Sequence, residues 1–303
     1  MRVGVTGASG LIGGALVSAL RDRGDLVTMF VRPSSASHDG PIVRWDPTRG
    51  LVDDNDLRRA GGFDAVVHLA GAGIADKRWD IGRKRTILDS RTTSTTLLVE
   101  ALGRMSSGAG FLASGSAIGY YGARGDEILD ENSSRGTGFL ADVCAQWEEA
   151  AAPFARNGAK LAHLRTGIVM SQRGGALKKQ LPLFRLGLGG TLGNGQQWLS
   201  PISLVDEVRA ILWLLEHQLT GPFNLVGPEP VKNKNFTKIL SHEIHRPAFA
   251  RVPVIALKIA LGSELATQAV VASQRVIPRN LADSGFTFQN PSSESIISQA
   301  LRP

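Results

Sequence analysis

A glycine-rich turn between a buried strand and a helix constrains the fold of this chain more than any other feature. Residues 2–6 have the pattern of a buried strand, and residues 11–23 have the pattern of a helix. The turn that joins them carries Gly7, Gly10 and Gly13 at regular spacing. Gly7 permits a tight turn, Gly10 lets the backbone approach a phosphate, and Gly13 lets the helix pack closely on the strand.

This turn is predicted to bind an anion. The free N–H groups of the helix start and the positive end of the helix dipole point at one spot, where a pyrophosphate fits. An ordinary loop between a strand and a helix is the alternative, but it does not explain three glycines at this spacing. We therefore predict that a dinucleotide binds here, through Gly7, Ser9, Gly10, Leu11, Ile12 and Gly13.

The composition argues against several classes of protein. The chain has 303 residues, 43% of them hydrophobic, and a net charge of +7 that is scattered, so we predict no nucleic-acid partner. The single cysteine, Cys144, forms no internal disulfide and favours a reducing, cytoplasmic location. We predict no metal site, because potential ligands do not cluster, and no membrane span, because no long apolar run occurs. Because a core strand is predicted at the start of the chain, we expect no signal peptide.

Strand and helix patterns alternate along the first half of the chain. The strands are nearly continuous apolar runs, as in a parallel sheet that is covered by helices on both faces. We therefore predict an α/β fold with a Rossmann-type doubly wound parallel sheet. Further strands are predicted at residues 26–31, 42–45, 63–69, 110–114 and 160–166, and helices at residues 80–104 and 139–155.

The pattern changes after Gly167. We assign residues 1–170 to the NADP-binding Rossmann domain, with residues 205–228 returning to it. Residues 171–204 and 229–303 are assigned to a smaller, interleaved C-terminal substrate lobe. Beyond Gly167 we predict helices at residues 174–185, 205–218, 235–244 and 254–276, strands at 223–226 and 286–288, and a glycine-dense loop at 187–195.

The end of the second strand predicts which dinucleotide binds. In dinucleotide folds an acidic residue at this point binds the adenosine ribose and selects NAD. Here the strand ends in Val31 and Arg32, with no acid. A guanidinium grips a phosphate bidentately, so Arg32 predicts NADP(H) as the cofactor. A solvated arginine at a strand end is the alternative.

Three further residues are candidates for cofactor contacts. Leu69 and Ala70 end the strand at residues 63–69, where small residues let the backbone run along the cofactor. Arg91 on the following helix is a candidate for the pyrophosphate or the nicotinamide half. A surface position is the alternative for Arg91.

These motifs resemble the extended short-chain dehydrogenase/reductase superfamily, whose form of the turn is TGxxGxxG, here from Thr6 to Gly13. The resemblance covers almost the whole chain and narrows to one atypical branch, usually called sugar-nucleotide epimerase-like. It implies a Rossmann domain that binds NADP(H) and a C-terminal segment of the branch's own, but no known reaction. The stretches that carry it are residues 68–71, 74–79, 90–91, 119–122, 187–190, 193–195, 222–225, 273–278 and 282–286.

The usual catalytic pair of that superfamily has no counterpart in this sequence. Ordinary members use a tyrosine as acid and base, with a lysine four residues later on the same helix face. In the helix at residues 139–155 these positions correspond to Leu140 and Cys144. We interpret Cys144, on an apolar stripe, as a small hydrophobic residue rather than a nucleophile.

Three hydroxyl residues remain as catalytic candidates: Ser116, Tyr120 and Tyr121. They follow a predicted strand, and the carboxyl ends of strands are where α/β folds place ligands. We predict that Ser116 orients a substrate oxygen and that Tyr120 or Tyr121 lines the pocket as a candidate proton donor. The alternative is that both rings serve only packing and the turn.

The loop at residues 187–198 is a candidate for the substrate. Its backbone N–H groups form a predicted phosphate cradle, and Gln197 and Trp198 are candidates to hydrogen-bond to and stack on a substrate ring. A flexible loop between the lobes is the alternative.

The sequence thus predicts an NADP(H)-dependent oxidoreductase or epimerase-like enzyme for a small polar substrate, with a nucleotide-sugar as one candidate. A non-catalytic, redox-responsive NADP(H)-binding module is the alternative, which the absent Tyr–Lys pair favours. The substrate, the direction of hydride transfer and the oligomeric state stay open, with a homodimer as one option.

Overall fold

The computed structural model of the protein describes residues 1–34, 39–105 and 107–302. Sixteen strands occur in these ranges. They are β1 (Arg2–Thr6), β2 (Leu26–Val31), β3 (Ile42–Asp46), β4 (Leu51–Val52), β5 (Phe63–His68), β6 (Ala109–Ala117), β7 (Ile128–Leu129), β8 (Lys160–Thr166), β9 (Ile168–Met170), β10 (Gly190–Leu192), β11 (Trp198–Leu199), β12 (Pro201–Ser203), β13 (Gly221–Leu225), β14 (Val231–Lys232), β15 (Ala250–Val252) and β16 (Arg275–Val276).

Eleven α-helices lie between and after these strands in the described ranges. They are α1 (Leu11–Asp22), α2 (Asp54–Ala60), α3 (Ile81–Gly103), α4 (Phe139–Ala151), α5 (Gly175–Arg185), α6 (Leu204–His217), α7 (Asn233–Glu243), α8 (Val254–Leu261), α9 (Ser263–Leu265), α10 (Arg279–Asp283) and α11 (Ser293–Ala300). Short 3₁₀ turns cover Ile118–Tyr121 and Ala152–Asn157. None of the described helices combines the length and apolar composition needed to cross a bilayer.

An eight-stranded sheet forms the centre of the fold, in the order β13-β8-β6-β5-β1-β2-β3-β4. All neighbours pair in parallel except β3 and β4, which are antiparallel. Apolar side chains cover both faces, as the continuous apolar strands require. The predicted Rossmann-type doubly wound α/β sheet is confirmed.

The strand order reverses between β1 and β5, and this reversal positions the site. From β1 the sheet continues to β2 and β3 on one side, and to β5, β6, β8 and β13 on the other. Doubly wound folds bind ligands in the crevice at the carboxyl ends of the strands where the order reverses. Here Thr6 pairs with His68 at that edge, so the glycine turn and Leu69 face each other.

Helices α1 and α6 cover one face of the sheet, and α2, α3 and the end of α4 cover the other. A third apolar cluster joins α5, α7 and α11 at the carboxyl end of the sheet's longer half. Leu177, Phe236 and Ile297 are among its buried members. The four two-stranded pairings outside the main sheet are β10 with β15, β11 with β14, β12 with β9 and β16 with β7.

Two predictions for the last third of the chain are wrong. The helix predicted at residues 254–276 ends at Leu261, because Gly262 has a φ of +92° that a helix does not permit. No strand forms at residues 286–288. Instead the rings of Phe286 and Phe288 pack edge to face, and Phe286 also contacts Trp213 of α6. The strand pattern there reflects packing on α6.

The glycine turn is tightly packed against its neighbours. Gly7 has a φ of +68°, and a Cβ atom on it would lie 2.7 Å from the carbonyl carbon of Leu69. A Cβ atom on Gly13 would overlap the carbonyl oxygen of Gly7. Gly14, one residue later, is exposed, and its Cβ would meet only the oxygen of Ala8 at 3.4 Å. Neighbouring glycines of α1 thus differ in the space around them.

We expect Gly13→Ala to lower the free energy of unfolding by about 1–3 kcal/mol, because the backbone must move to admit the methyl group. The matched variant Gly14→Ala should raise it by about 0.5–1 kcal/mol, since alanine is the better helix former. Urea unfolding followed by circular dichroism measures both. Equal stability of the two variants would contradict the close packing of α1 on the turn.

Candidate functional site

The start of α1 offers free backbone donors to the crevice. Gly10 precedes the helix, and no side chain caps it. Among the described residues, the amides of Leu11, Ile12 and Gly13 have no hydrogen-bond partner. Helix starts of this kind hold phosphates, because the N–H groups and the dipole act together. The predicted anion contacts, including exposed Ser9, are therefore gathered at one point.

The end of β5 is fixed against the turn by a threonine. Thr6 Oγ1 accepts hydrogen bonds from the amides of Leu69 at 3.1 Å and Ala70 at 3.2 Å. The Thr6 hydroxyl itself donates to His68 Nδ1 at 2.7 Å, and His68 Nε2 forms a hydrogen bond with Thr95 Oγ1. Burial lowers the pKa of His68 to about 3, so the ring stays neutral and links β1 to α3 through Thr6 and Thr95. Leu69 and Ala70 are thereby held along the crevice.

Two arginines stand at different points of this crevice. Arg32 follows β2 and is exposed, and within the described ranges its side chain has no hydrogen bond or ion pair. Arg91 of α3 is half-buried beside Gly71, and its Nη1 donates to the carbonyl oxygens of Ala72 and Ile87, each at 3.0 Å. Burial lowers the pKa of Arg91, which has no carboxylate partner among the described residues.

Ser116 lies at the carboxyl end of β6 and is bound to a buried ion pair. Its Oγ donates to Glu148 Oε1 at 2.7 Å. Glu148 of α4 also accepts from Arg165 of β8, with Nε to Oε1 at 2.8 Å and Nη2 to Oε2 at 2.9 Å. Burial opposes the charge of Glu148, but the Arg165 guanidinium outweighs it and lowers the pKa of that carboxyl. Glu148 is therefore an ionised acceptor.

Tyr121 extends this network to the edge of the sheet. Arg165 Nη1 donates to Tyr121 Oη at 2.9 Å, and Tyr121 donates to Asn224 Oδ1 at 2.7 Å. Asn224 of β13 donates from Nδ2 to the carbonyl oxygen of Ile277 at 3.0 Å. Tyr121 is fully buried, and burial raises its pKa to about 12. Its hydroxyl is committed to holding β13 and β8 together.

Tyr120 is the more accessible of the two tyrosines. Its ring lies 3.6 Å from the guanidinium carbon of Arg165 and meets the Tyr121 ring edge to face. In the described structure no group hydrogen-bonds to its hydroxyl. Gln274 Nε2 fixes the surrounding turn through the carbonyl oxygens of Ile118 and Gly122. The three predicted hydroxyls therefore lie together, in three different environments.

The helix positions of the usual catalytic pair are apolar packing positions. The Cβ atom of Leu140 and the Sγ of Cys144 lie against Gly119, each 3.4 Å from where a Cβ would be. Cys144 is buried, and burial raises its pKa to about 12. The thiol is therefore protonated and inaccessible at neutral pH, as its position on the apolar stripe predicts.

The glycine-dense loop borders a cavity of about 580 Å³. The polar side chains that line it are Asn194, Gln197 and Arg251, and the apolar ones include Val254 and Val271. Gln197 Nε2 is held by the carbonyl oxygen of Leu192 at 3.1 Å. Polar and apolar side chains thus share the lining of the cavity.

Trp198 is not among the residues that line this cavity. Its indole Nε1 donates to Asp126 at 2.6 Å, and its ring contacts the cations of Arg275 and Lys232. Trp198 therefore fixes the base of the loop against the segment that follows the tyrosines.

Comparison with known proteins agrees with this geometry. A model described as the NAD dependent epimerase/dehydratase family matches residues 3–227. A second model, described as a domain of unknown function (DUF1731), matches residues 252–300. The chain belongs to the NAD dependent epimerase/dehydratase family. The resemblance to an atypical extended branch with its own C-terminal segment is confirmed.

Individual members of the family match along nearly the whole chain. Epimerase family protein Mb2239 of Mycobacterium bovis is 42% identical over 289 residues, which cover 95% of this chain and 93% of that protein. The crystal structure of human epimerase family protein SDR39U1 with NADPH is 28% identical, with a TM-score of 0.87 and 98% coverage of both chains. The nucleoside-diphosphate sugar epimerase of Corynebacterium glutamicum is 33% identical, with a TM-score of 0.78, and its match covers 99% of this chain and 58% of that one.

Sequence reasoning missed Glu148, Arg165 and Asn224 in this family member. Arg165 gave one signal, because a charged residue inside a predicted buried strand requires a partner. Glu148 gave another, since it lies one helical turn after Cys144 on the face that was interpreted as apolar. Asn224 gave none, because its partners are distant in sequence.

We expect Glu148→Ala to lower the free energy of unfolding by about 3–5 kcal/mol, because it leaves the buried Arg165 cation without its counter-ion. Glu149→Ala removes an exposed carboxylate from the same helix and should change stability by no more than about 0.5 kcal/mol. Urea unfolding measures both. Similar values for the two variants would mean that the Arg165 pair contributes little.

Cys144 should resist thiol reagents in the folded protein. With a pKa of about 12, its thiolate fraction near pH 8 is roughly 10³-fold below that of a free cysteine, and burial slows access further. The release of thionitrobenzoate from DTNB measures the rate, with the same chain in guanidinium chloride as the control. Comparable rates in the folded and unfolded chain would be inconsistent with a buried thiol.

Proposed function

We propose that the chain binds NADP(H) through the glycine turn and distinguishes it from NAD(H) by Arg32. The observation that carries the proposal is an uncapped helix start at the sheet edge where β2 also ends before Arg32 and where Arg91 lies against Gly71. Neither arginine has a carboxylate partner among the described residues. The free amides and Arg91 suit the pyrophosphate, and Arg32 suits a 2′-phosphate. The human relative that contains NADPH supports this choice.

The chemistry that we propose is an oxidoreductase or epimerase-like reaction on a small polar substrate next to Ser116. A nicotinamide cofactor supplies the hydride donor or acceptor. Ser116 binds a substrate oxygen, and Tyr120 exchanges the proton, since Tyr121 has committed its own. Leu140 and Cys144 stand where the superfamily has its Tyr–Lys pair, so Tyr120 acts without a neighbouring lysine.

A nucleotide-linked sugar is the substrate class that we favour. The 580 Å³ cavity offers Arg251 and Asn194 to phosphate and sugar oxygens, and Val254 and Val271 to the face of a base. Gln274, which holds the turn of the tyrosines, follows Val271 by three residues and so lies within about 11 Å of it. We propose Gln197, rather than Trp198, as the substrate contact of the loop. The Corynebacterium glutamicum relative is a nucleoside-diphosphate sugar epimerase, which supports this class.

Arg32→Ala should weaken NADPH binding by about 10- to 100-fold, because a charge-assisted contact to the 2′-phosphate is lost. NADH binding should change by less than about 3-fold. Cofactor fluorescence titration measures both. Arg156→Ala, an exposed arginine before the amino end of β8, is the control and should leave both affinities unchanged. An equal loss for NADPH and NADH would show that Arg32 does not read the phosphate.

A panel of carbonyl compounds and nucleotide-sugars tests the reaction. Net loss of NADPH absorbance indicates a reductase, and sugar interconversion without net loss indicates an epimerase. Tyr120→Phe should then reduce kcat by about 10²- to 10⁴-fold, the usual contribution of a positioned acid or base. Tyr121→Phe, the matched control, should lower the free energy of unfolding but leave kcat within about 3-fold of the wild-type value. Cofactor binding without turnover across the panel would favour the redox-responsive binding module.

A further inference from the structure

The carboxylate of Glu148 determines the direction of the Ser116 hydroxyl. Glu148 accepts from Ser116 at 2.7 Å and from two nitrogens of Arg165. An ionised carboxylate has no proton to give, so the proton in the Ser116–Glu148 bond belongs to Ser116. Because Arg165 keeps Glu148 ionised inside the protein, this direction is fixed.

No other hydrogen bond of the network supplies a proton that would let Ser116 accept from Glu148 instead of donating to it. The Arg165 guanidinium can only donate, so Tyr121 Oη accepts from it and donates its own O–H to Asn224 Oδ1. The amide of Asn224 is oriented by its bond to the carbonyl oxygen of Ile277. Within the described part of the chain, no group donates to Ser116 Oγ. Its lone pairs are therefore the groups that it offers to a ligand.

We infer that Glu148 and Arg165 position Ser116 as a hydrogen-bond acceptor, so that the substrate group bound there is a hydroxyl and not a carbonyl. This inference rests on the proposed function in one respect, that Ser116 faces the substrate. Ser116 is the specificity-determining contact, and Glu148 is a positioning residue that acts through it. The substrate class is an alcohol, such as a sugar with a free hydroxyl.

The chemical reason is that the free lone pairs of Ser116 Oγ need a hydrogen-bond donor, which an alcohol has and a carbonyl lacks. An alcohol O–H placed on Ser116 Oγ completes a hydrogen bond, whereas a carbonyl oxygen there faces a second acceptor. Turning the Ser116 proton toward a carbonyl would leave an acceptor position on the Glu148 carboxylate without its donor, at a cost in a buried site. The site therefore binds the alcohol member of an alcohol and ketone pair more tightly.

Neutron diffraction from crystals of the deuterated full chain tests the assignment directly. We expect a deuteron on Ser116 Oγ that points to Glu148, and none on the Glu148 carboxylate. A deuteron that points into the cleft, or one on Glu148, would overturn the inference.

Ligand pairs with one carbon skeleton test the consequence. The probes are cyclohexanol with cyclohexanone and propan-2-ol with acetone, titrated by ligand-observed NMR against protein loaded with tetrahydro-NADP, which transfers no hydride. The wild type should bind the alcohol about 3- to 10-fold more tightly, the usual effect of one hydrogen bond. Tighter binding of the ketone would overturn the inference. If neither member of a pair binds, the deuteron position alone decides.

Variants of Ser116 separate its acceptor role from a general loss of structure. Ser116→Ala should abolish the preference, because it removes both the acceptor that the alcohol uses and the lone pairs that oppose the ketone. Ser116→Thr should restore it, because threonine keeps the hydroxyl. Ser114→Ala removes another buried hydroxyl of β6, two residues earlier, and should keep the preference. A preference that survives in Ser116→Ala would assign the effect to another group.

The proposed function and this inference fail in different ways. A wild-type chain that captured no NADPH would remove the proposed function but leave the deuteron position unchanged. A chain that binds and uses NADPH while its Ser116 deuteron points into the cleft would keep the proposed function and remove this inference.

Discussion

The ion pair between Arg165 and Glu148 is the contact on which the geometry of the candidate site depends. A cation on an interior strand is tolerated only when a counter-ion and enough acceptors surround it. Arg165 meets this requirement through Glu148, Tyr121 and the face of the Tyr120 ring. One side chain therefore fixes the distance between α4 and β8, the direction of the Ser116 hydroxyl and the position of both tyrosines.

The main sheet could be predicted from the sequence, because each strand carries its own signal. The strands at residues 26–31 and 160–166 have the predicted bounds, since continuous apolar runs between turns identify buried parallel strands. The two-stranded pairings outside the main sheet gave no such signal. Their strands have two or three residues each and form by pairing with distant partners, as β10 does with β15. The helix predicted at residues 254–276 is broken by Gly262, whose left-handed φ depends on its surroundings.

The same distinction applies to the candidate site. The cofactor half follows from a local motif, because one strand, one turn and one helix bring the free amides together. The chemical half depends on residues from β6, α4, β8 and β13, and only tertiary structure brings these together. The apolar stripe through Cys144 indicates a buried helix face, and Cys144 is buried in the structure. It did not reveal that the next turn carries Glu148, since an acid at the end of a stripe also fits an exposed position.

Hydride transfer to a carbonyl carbon requires a proton to arrive at the substrate oxygen, and hydride transfer from an alcohol carbon requires one to leave it. The three candidate hydroxyls differ in their capacity to meet this requirement. Ser116 and Tyr121 donate their hydroxyl protons in hydrogen bonds to Glu148 and Asn224, and both acceptors are fixed by further bonds. The Tyr120 hydroxyl has no such commitment within the described residues. The choice between an enzyme and a cofactor-binding module therefore depends most on Tyr120, the one of these three hydroxyls that has no hydrogen-bond partner in the described part of the chain.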